Sequence, residues 1–216
     1  MFSKKLEFCF LIDLYPWTGE RFPEAGITYL RSVNVLLHRL GTKSSQADIR
    51  FVFYSGSTMH DHKDHRAGHH ETEWCLTQEE FLEMTLQADL SKCCTFTPLF
   101  TEEKVMREKH RKDPETSYET HYFWVSGSGL CADSEDSRKL AAIRFENSVH
   151  LSAIGLSSAA KSLTRRSLPF AAWREEPDDI RACFEEIFGT VEFLISRFEK
   201  NPLRCADSSG ERWLMA

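Results

Sequence analysis

The stretch Leu6-Glu7-Phe8-Cys9-Phe10-Leu11-Ile12-Asp13-Leu14 decides the fold. A near-continuous apolar run of this length belongs to a strand covered on both faces, as in the centre of a parallel sheet. Asp13 sets a carboxylate at its end. After a polar loop containing Pro16 and Pro23, apolar residues recur at Ile27, Leu30, Val33, Leu37 and Leu40. That spacing is helical and stops at Gly41, a residue suited to a helix C-terminal cap. Strand, loop and helix in this order form the first unit of an α/β domain.

The same alternation continues outward. Ile49 to Tyr54 (IRFVFY) reads as a second strand, ended by Ser55-Gly56-Ser57-Thr58. Thr77 followed by Glu80 has the form of a capping box and opens a helix to about Leu90, with Phe81, Met84 and Leu86 inward. Another helix is expected from near Pro98 to about His110, then a charged surface loop from Arg111 to Thr120. Tyr122 to Val125 reads as a third buried strand, Asp133 to Phe145 as a helix, and Val149 to Leu156 as a fourth strand. Leu168 to Trp173 reads as an edge strand. The last helix, capped at Asp178 or Asp179, carries an apolar stripe at Ile180, Phe184, Ile187, Val191, Leu194, Ile195 and Phe198 that must pack on a sheet or a partner. Strands alternating with helices imply a doubly wound, mostly parallel sheet flanked by helices, a Rossmann-like architecture.

The bulk numbers agree with one domain. A chain of 216 residues falls within the size that one core can serve, so residues 1–200 read as the domain and 201–216 as a flexible C-terminal tail. A net charge of −6 supplies no field that would draw in a nucleic acid backbone, which argues for protein or small-molecule partners and against direct nucleic acid binding. The seven cysteines show no disulfide framework and no C-x-x-C pair, which suits reduced thiols and an intracellular setting, nuclear or cytoplasmic. Lys4 and Lys5 before the apolar run have the look of a signal peptide. Glu7 and Asp13 interrupt it, no small-residue cleavage site follows, and no stretch is long and apolar enough for a membrane helix.

In a doubly wound sheet, ligands bind beyond the carboxyl ends of the strands, which directs attention to Asp13 to Trp17, Ser55 to Thr58 and Ser126 to Gly129. With Thr97-Pro98-Leu99, these features over Leu6 to Phe198 resemble a von Willebrand factor A (vWA) domain. That family places D-x-S-x-S at a strand end, a Thr in a T-P-L-like turn and an Asp at the end of a later strand, and holds a divalent cation through their oxygens. Here Asp13 and Thr97 match, Tyr15 and Trp17 stand where the two Ser belong, and Ser126-Gly127-Ser128-Gly129 has no Asp.

The resemblance thus implies a degenerate metal-ion-dependent adhesion site, poor for Mg²⁺, which requires near-octahedral oxygen donors. It also implies a non-catalytic protein-interaction module in a larger assembly, of the kind that serves DNA replication, repair or transcription. The expected partner-binding edge comprises Asp13, Tyr15, Trp17, Thr97, Ser126 and Ser128. Tyr15, Pro16 and Trp17 equally suit a plug in the vacated metal pocket. A Mg²⁺-dependent adhesion-type ligand binder is a third option.

His60 to His70 carries a competing signal. The string H60-D61-H62-K63-D64-H65 is similar to the metal motif of metallo-β-lactamase-fold hydrolases, in which imidazoles and a carboxylate hold Zn²⁺ and generate a hydroxide nucleophile. His60, His62, Asp64, His65 and His69 are the candidate metal ligands, with His121 and Asp133 as later partners. Five residues separate this motif from the strand at Tyr54, and the helix from Ile27 to Leu40 does not suit the β-rich start of that fold. The segment reads equally as a solvated loop, or as a structural or adventitious Zn²⁺ or Ni²⁺ site formed if the loop curls. Cys93-Cys94 would need a base such as His121 to act as nucleophile, and Lys161, Arg165 and Arg166 form a small basic patch, too small to bind nucleic acid alone.

Overall fold

β1 (Ser3–Asp13) is the central strand, and its alternating side chains build two cores. Leu6, Phe8, Phe10, Ile12 and Leu14 enter one, while Cys9 and Leu11 enter the other. Both are sealed because β1 pairs in parallel with β2 (Asp48–Ser55) on one side and β4 (Thr116–Ser126) on the other. The computed structural model describes residues 3–14, 24–43, 46–65, 77, 79, 80, 83, 95–126, 134–144, 149–155 and 180–200. Within them the sheet order is β3-β2-β1-β4-β5, where β3 is Thr58–His65 and β5 is Val149–Gly155. All pairs are parallel except β2 with β3.

Among the described residues, four helices cover the two faces. α1 (Glu24–Gly41) and α4 (Ile180–Lys200) pack on the face of Phe8, Phe10, Phe51, Phe53 and Phe123, with Val33, Leu36, Leu37 and Leu40 meeting Phe184, Ile187, Val191 and Ile195. From Phe184 on, the stripe expected on the last helix therefore packs on the core, with Leu194 and Phe198 partly buried at its margin. α2 (Thr97–Lys112) and α3 (Ser134–Arg144) cover the opposite face, with Phe96, Leu99, Met106 and Leu140 against Val52, Tyr54, Tyr122 and Trp124. Pro98 opens α2 at a position where its missing N–H is no loss. The architecture is the expected one: a doubly wound, mostly parallel α/β sheet flanked by helices, Rossmann-like in its course.

Two local expectations are corrected. His60 to His65 is not loop: it lies in β3, joined to β2 by the turn Gly56-Ser57, with Ser55 opposite Thr58 and His62 opposite Val52. Gly56 has φ 57°, which lets the first central residue of a two-residue hairpin turn take the left-handed region. A strand of His, Asp and Lys is tolerated here because it is the sheet edge, where charge discourages further pairing. The second correction is at 111–120. Arg111 and Lys112 complete α2, and β4 begins at Thr116, so Glu119, Thr120 and His121 are buried strand residues. Among the described residues, no helix is long and apolar enough to cross a membrane.

The capping box is present: Glu80 N–H donates to Thr77 Oγ1 at 3.1 Å and Thr77 N–H to Glu80 Oε2 at 2.7 Å. The edge strand expected at 168–173, the tail from 201, Cys93-Cys94 and the basic patch at Lys161 to Arg166 lie outside the described residues.

Candidate functional site

The topological switch point falls between β1 and β4, since the chain leaves β1 toward β2 on one side and returns to β4 on the other. Asp13 ends β1 and Ser126 ends β4, so the register brings these two to the crevice. Both are buried, and Ser126 Oγ donates to Asp13 Oδ2 at 3.3 Å. Beneath them, Trp124 Nε1–H donates to the Tyr54 hydroxyl, which donates to the carbonyl of Val125 at 3.3 Å. Two large aromatic residues thus fill the floor where the strand ends meet. Leu14 N–H donates to the Tyr54 carbonyl at 2.8 Å, holding β1 against β2 at the same level.

Thr97, the third residue of the expected set, is exposed at the start of α2. Its neighbour Thr95 donates through Oγ1 to Thr97 Oγ1 at 3.0 Å, and the Thr97 N–H donates back to Thr95 Oγ1 at 3.3 Å. Thr95 N–H reaches the Gly56 carbonyl at 3.2 Å, which fastens this turn to the β2–β3 hairpin. Tyr15, Trp17 and Ser128 lie outside the described residues, as does His69.

Among the described residues the donors do not fit Mg²⁺. A vWA-type site needs several oxygens turned toward the ion, whereas here one fully buried carboxylate accepts from the Ser126 hydroxyl and the sequence has Tyr15 and Trp17 where that family has serines. Among the described residues, this edge holds too few oxygen donors for that ion.

A different constellation sits on the α1/α4 face. His121 of β4 pairs in register with His150 of β5, and Glu119 is two residues before His121 on the same side of β4. The Glu119 Oε1 lies 3.1 Å from His121 Nε2 and 3.8 Å from His150 Nε2. Glu119, His121 and His150 each offer a ligand atom, and these atoms all lie within 4.8 Å of one another, so the group could coordinate a metal ion. The imidazoles stack with centroids 4.4 Å apart, and Phe8 backs the His121 ring at 5.6 Å.

Burial, with His121 second, pushes His150 down to about 4. For Glu119, burial acts to raise the carboxyl. The hydrogen bond with His121, together with the charges of His121, Lys4 and His150, outweighs it and holds the group below its usual value. Sequence reasoning singled out His121 but could not find this cluster. The register of β4 on β5 makes it, and that register has no local signal.

A groove of about 410 Å³ lies between α1 and α4, lined in part by Val35, Leu36 and Phe184. Arg39 crosses it, paired with Glu185 and lying 3.6 Å from the centre of the Phe188 ring.

No protein-family model matches the chain, and no curated protein does. Solved structures with a similar course include proximal thread matrix protein 1 from the mussel byssus, at 12% identity and TM-score 0.47 over 87% of this chain. The chain spans about half of that protein, 48%. The N-terminal domain of TFIIH p34 aligns at 10% identity and TM-score 0.47, covering 85% of this chain and 96% of that domain. Human COPII-coat protein Sec24c aligns at 11% identity and TM-score 0.44 over 89% of this chain and 33% of its own. At such scores no residue's role is carried across.

Proposed function

We propose that this chain is a non-catalytic protein-interaction module that meets its partner at the carboxyl edge of the sheet by direct contact, without a bridging cation. The observation that carries the reading is that Asp13, the carboxylate a vWA-type site would offer to an ion, is fully buried, with one of its oxygens accepting from Ser126. Binding at this edge then falls to the surface around the pair. Thr97 is exposed there, and we place Tyr15, Trp17 and Ser128 in the same contact surface, with Trp17 as its anchor. The vWA resemblance, and no residue of the site, suggests an intracellular assembly for DNA replication, repair or transcription as the setting.

Affinity capture tests this with wild-type chain, Trp17→Ala and Thr97→Arg, each with and without chelator. A partner retained in chelator and lost with both substitutions supports the reading. A partner lost in chelator, or indifferent to both substitutions, overturns it. The hydrolase alternative would show instead as phosphodiesterase or lactonase turnover by purified chain that disappears in His62→Ala.

A further inference from the structure

We propose that Glu119, His121 and His150 form a Zn²⁺ site, with two imidazole nitrogens and one carboxylate oxygen as ligands and a fourth position left for water. Zn²⁺ bonds of about 2.0–2.2 Å to nitrogen and oxygen put tetrahedral ligands roughly 3.4 Å apart. The 3.1 and 3.8 Å separations from Glu119 Oε1 to the two Nε2 atoms bracket that value. The arrangement is held from three sides. Glu119 and His121 share one face of β4, His150 is locked beside His121 by the β4–β5 register, and Phe8 limits rotation of the His121 ring.

One atom of the cluster points to a ligand. His150 Nε2 is buried with no hydrogen-bond partner, whereas the outer oxygen of Glu119, Oε2, is paired with Lys4. Buried polar atoms left in this state are costly unless something completes them. Zn²⁺ at the shared focus would take up His150 Nε2 directly.

Two cations face the cluster and oppose a metal. Lys4 of β1 approaches Glu119 Oε2 at 3.4 Å, and Arg197 of α4 acts on His150 through its charge. Lys4 lies on the oxygen that the two histidines do not face and leans 5.7 Å from the centre of the Phe198 ring, so it weakens the site without filling it. Removing its charge should tighten metal binding.

The test is titration of tag-free full chain with Co²⁺, followed by its visible ligand-field bands, then displacement by Zn²⁺. One equivalent of Co²⁺ with the intense bands of a low-coordinate site is expected. The bands should be lost in His150→Gln and in Glu119→Gln, kept in a His62→Ala/His65→Ala chain, and obtained at several-fold lower Co²⁺ in Lys4→Gln. Melting curves in chelator establish that each variant is folded. Bands that survive His150→Gln, bands that vanish with His62 and His65, absence of any bound Co²⁺ or Zn²⁺, or no tightening in Lys4→Gln would each overturn the assignment. The Lys4→Gln comparison stands even if the ligand variants do not fold.

Discussion

Glu7 and His110 are joined by a 2.6 Å hydrogen bond that ties β1 to the last turn of α2. The Glu7 carboxylate also accepts from Lys109 Nζ at 2.6 Å and Thr120 Oγ1 at 3.0 Å, and Lys109 continues to Asp48 at 2.8 Å. A fully buried carboxylate is tolerated because donors from two elements meet both of its oxygens. Glu7→Gln should cost about 2–3 kcal/mol in denaturant unfolding, since hydrogen bonds to charge are the stronger kind. An effect below ~0.5 kcal/mol would remove this network from the account.

The same network fixes a pH dependence. Burial acts to raise the Glu7 carboxyl, but the hydrogen bonds from His110 and Lys109 outweigh it and hold the group below its usual 4.5. Its contribution is thus fully present above 4.5 and is lost as pH falls through the lower folded value. Lys109 is raised above 10.5 despite burial by its bonds to Asp48 and Glu7, so its share persists below that value and fades as pH rises through the raised one. Urea midpoints should fall more steeply for wild type than for Glu7→Gln below about pH 4.5. Parallel acid limbs would contradict the assignment.

Arg50 and Glu102 join β2 to α2 through two contacts, one of them Nη2 to Oε1 at 3.3 Å, with the Glu102 side chain 1% exposed. Removing Glu102 takes both of these contacts from the part-buried guanidinium, so Glu102→Ala should cost about 3 kcal/mol, while replacing both with apolar groups, Arg50→Met with Glu102→Leu, should recover most of it. Equilibrium unfolding of the single and double variants decides the matter. A double variant as weak as the single would show that the pair is needed for more than mutual neutralisation.

Phe10 lies between Phe51 and Phe123, with ring centroids at 4.7 and 5.0 Å, and is the middle of the α1/α4-side core. Phe10→Ala should cost roughly 3–5 kcal/mol, against less than about 0.5 kcal/mol for Val35→Ala on the half-exposed face of α1. Similar values for the two by calorimetry would mean that the sheet's centre is elsewhere.

The elements that could be read from sequence were those whose burial is uniform. Leu6 to Leu14 and Ile49 to Tyr54 announce strands because both of their faces are covered, and Phe184 to Phe198 announces a helix through its stripe. β3 was hidden because its residues, Thr58 to His65, are ones a central strand would reject and only an edge accepts. The first half of β4 was hidden for the opposite reason. Glu119, Thr120 and His121 are buried polar groups whose partners, Lys4, Glu7 and His150, are remote in sequence. At the site, Asp13, Thr97 and Ser126 stood out through motif spacing. That spacing could not show that Asp13 and Ser126 face each other while Thr97 turns to solvent.

The claim that matters most is that the carboxyl edge works by contact and not by coordination. Calorimetric titration of the chain with Mg²⁺, paired with the same titration of Asp13→Asn, tests it directly. No saturable Mg²⁺ heat is expected up to millimolar ion in either protein. Stoichiometric Mg²⁺ binding by the wild type that disappears in Asp13→Asn would contradict it.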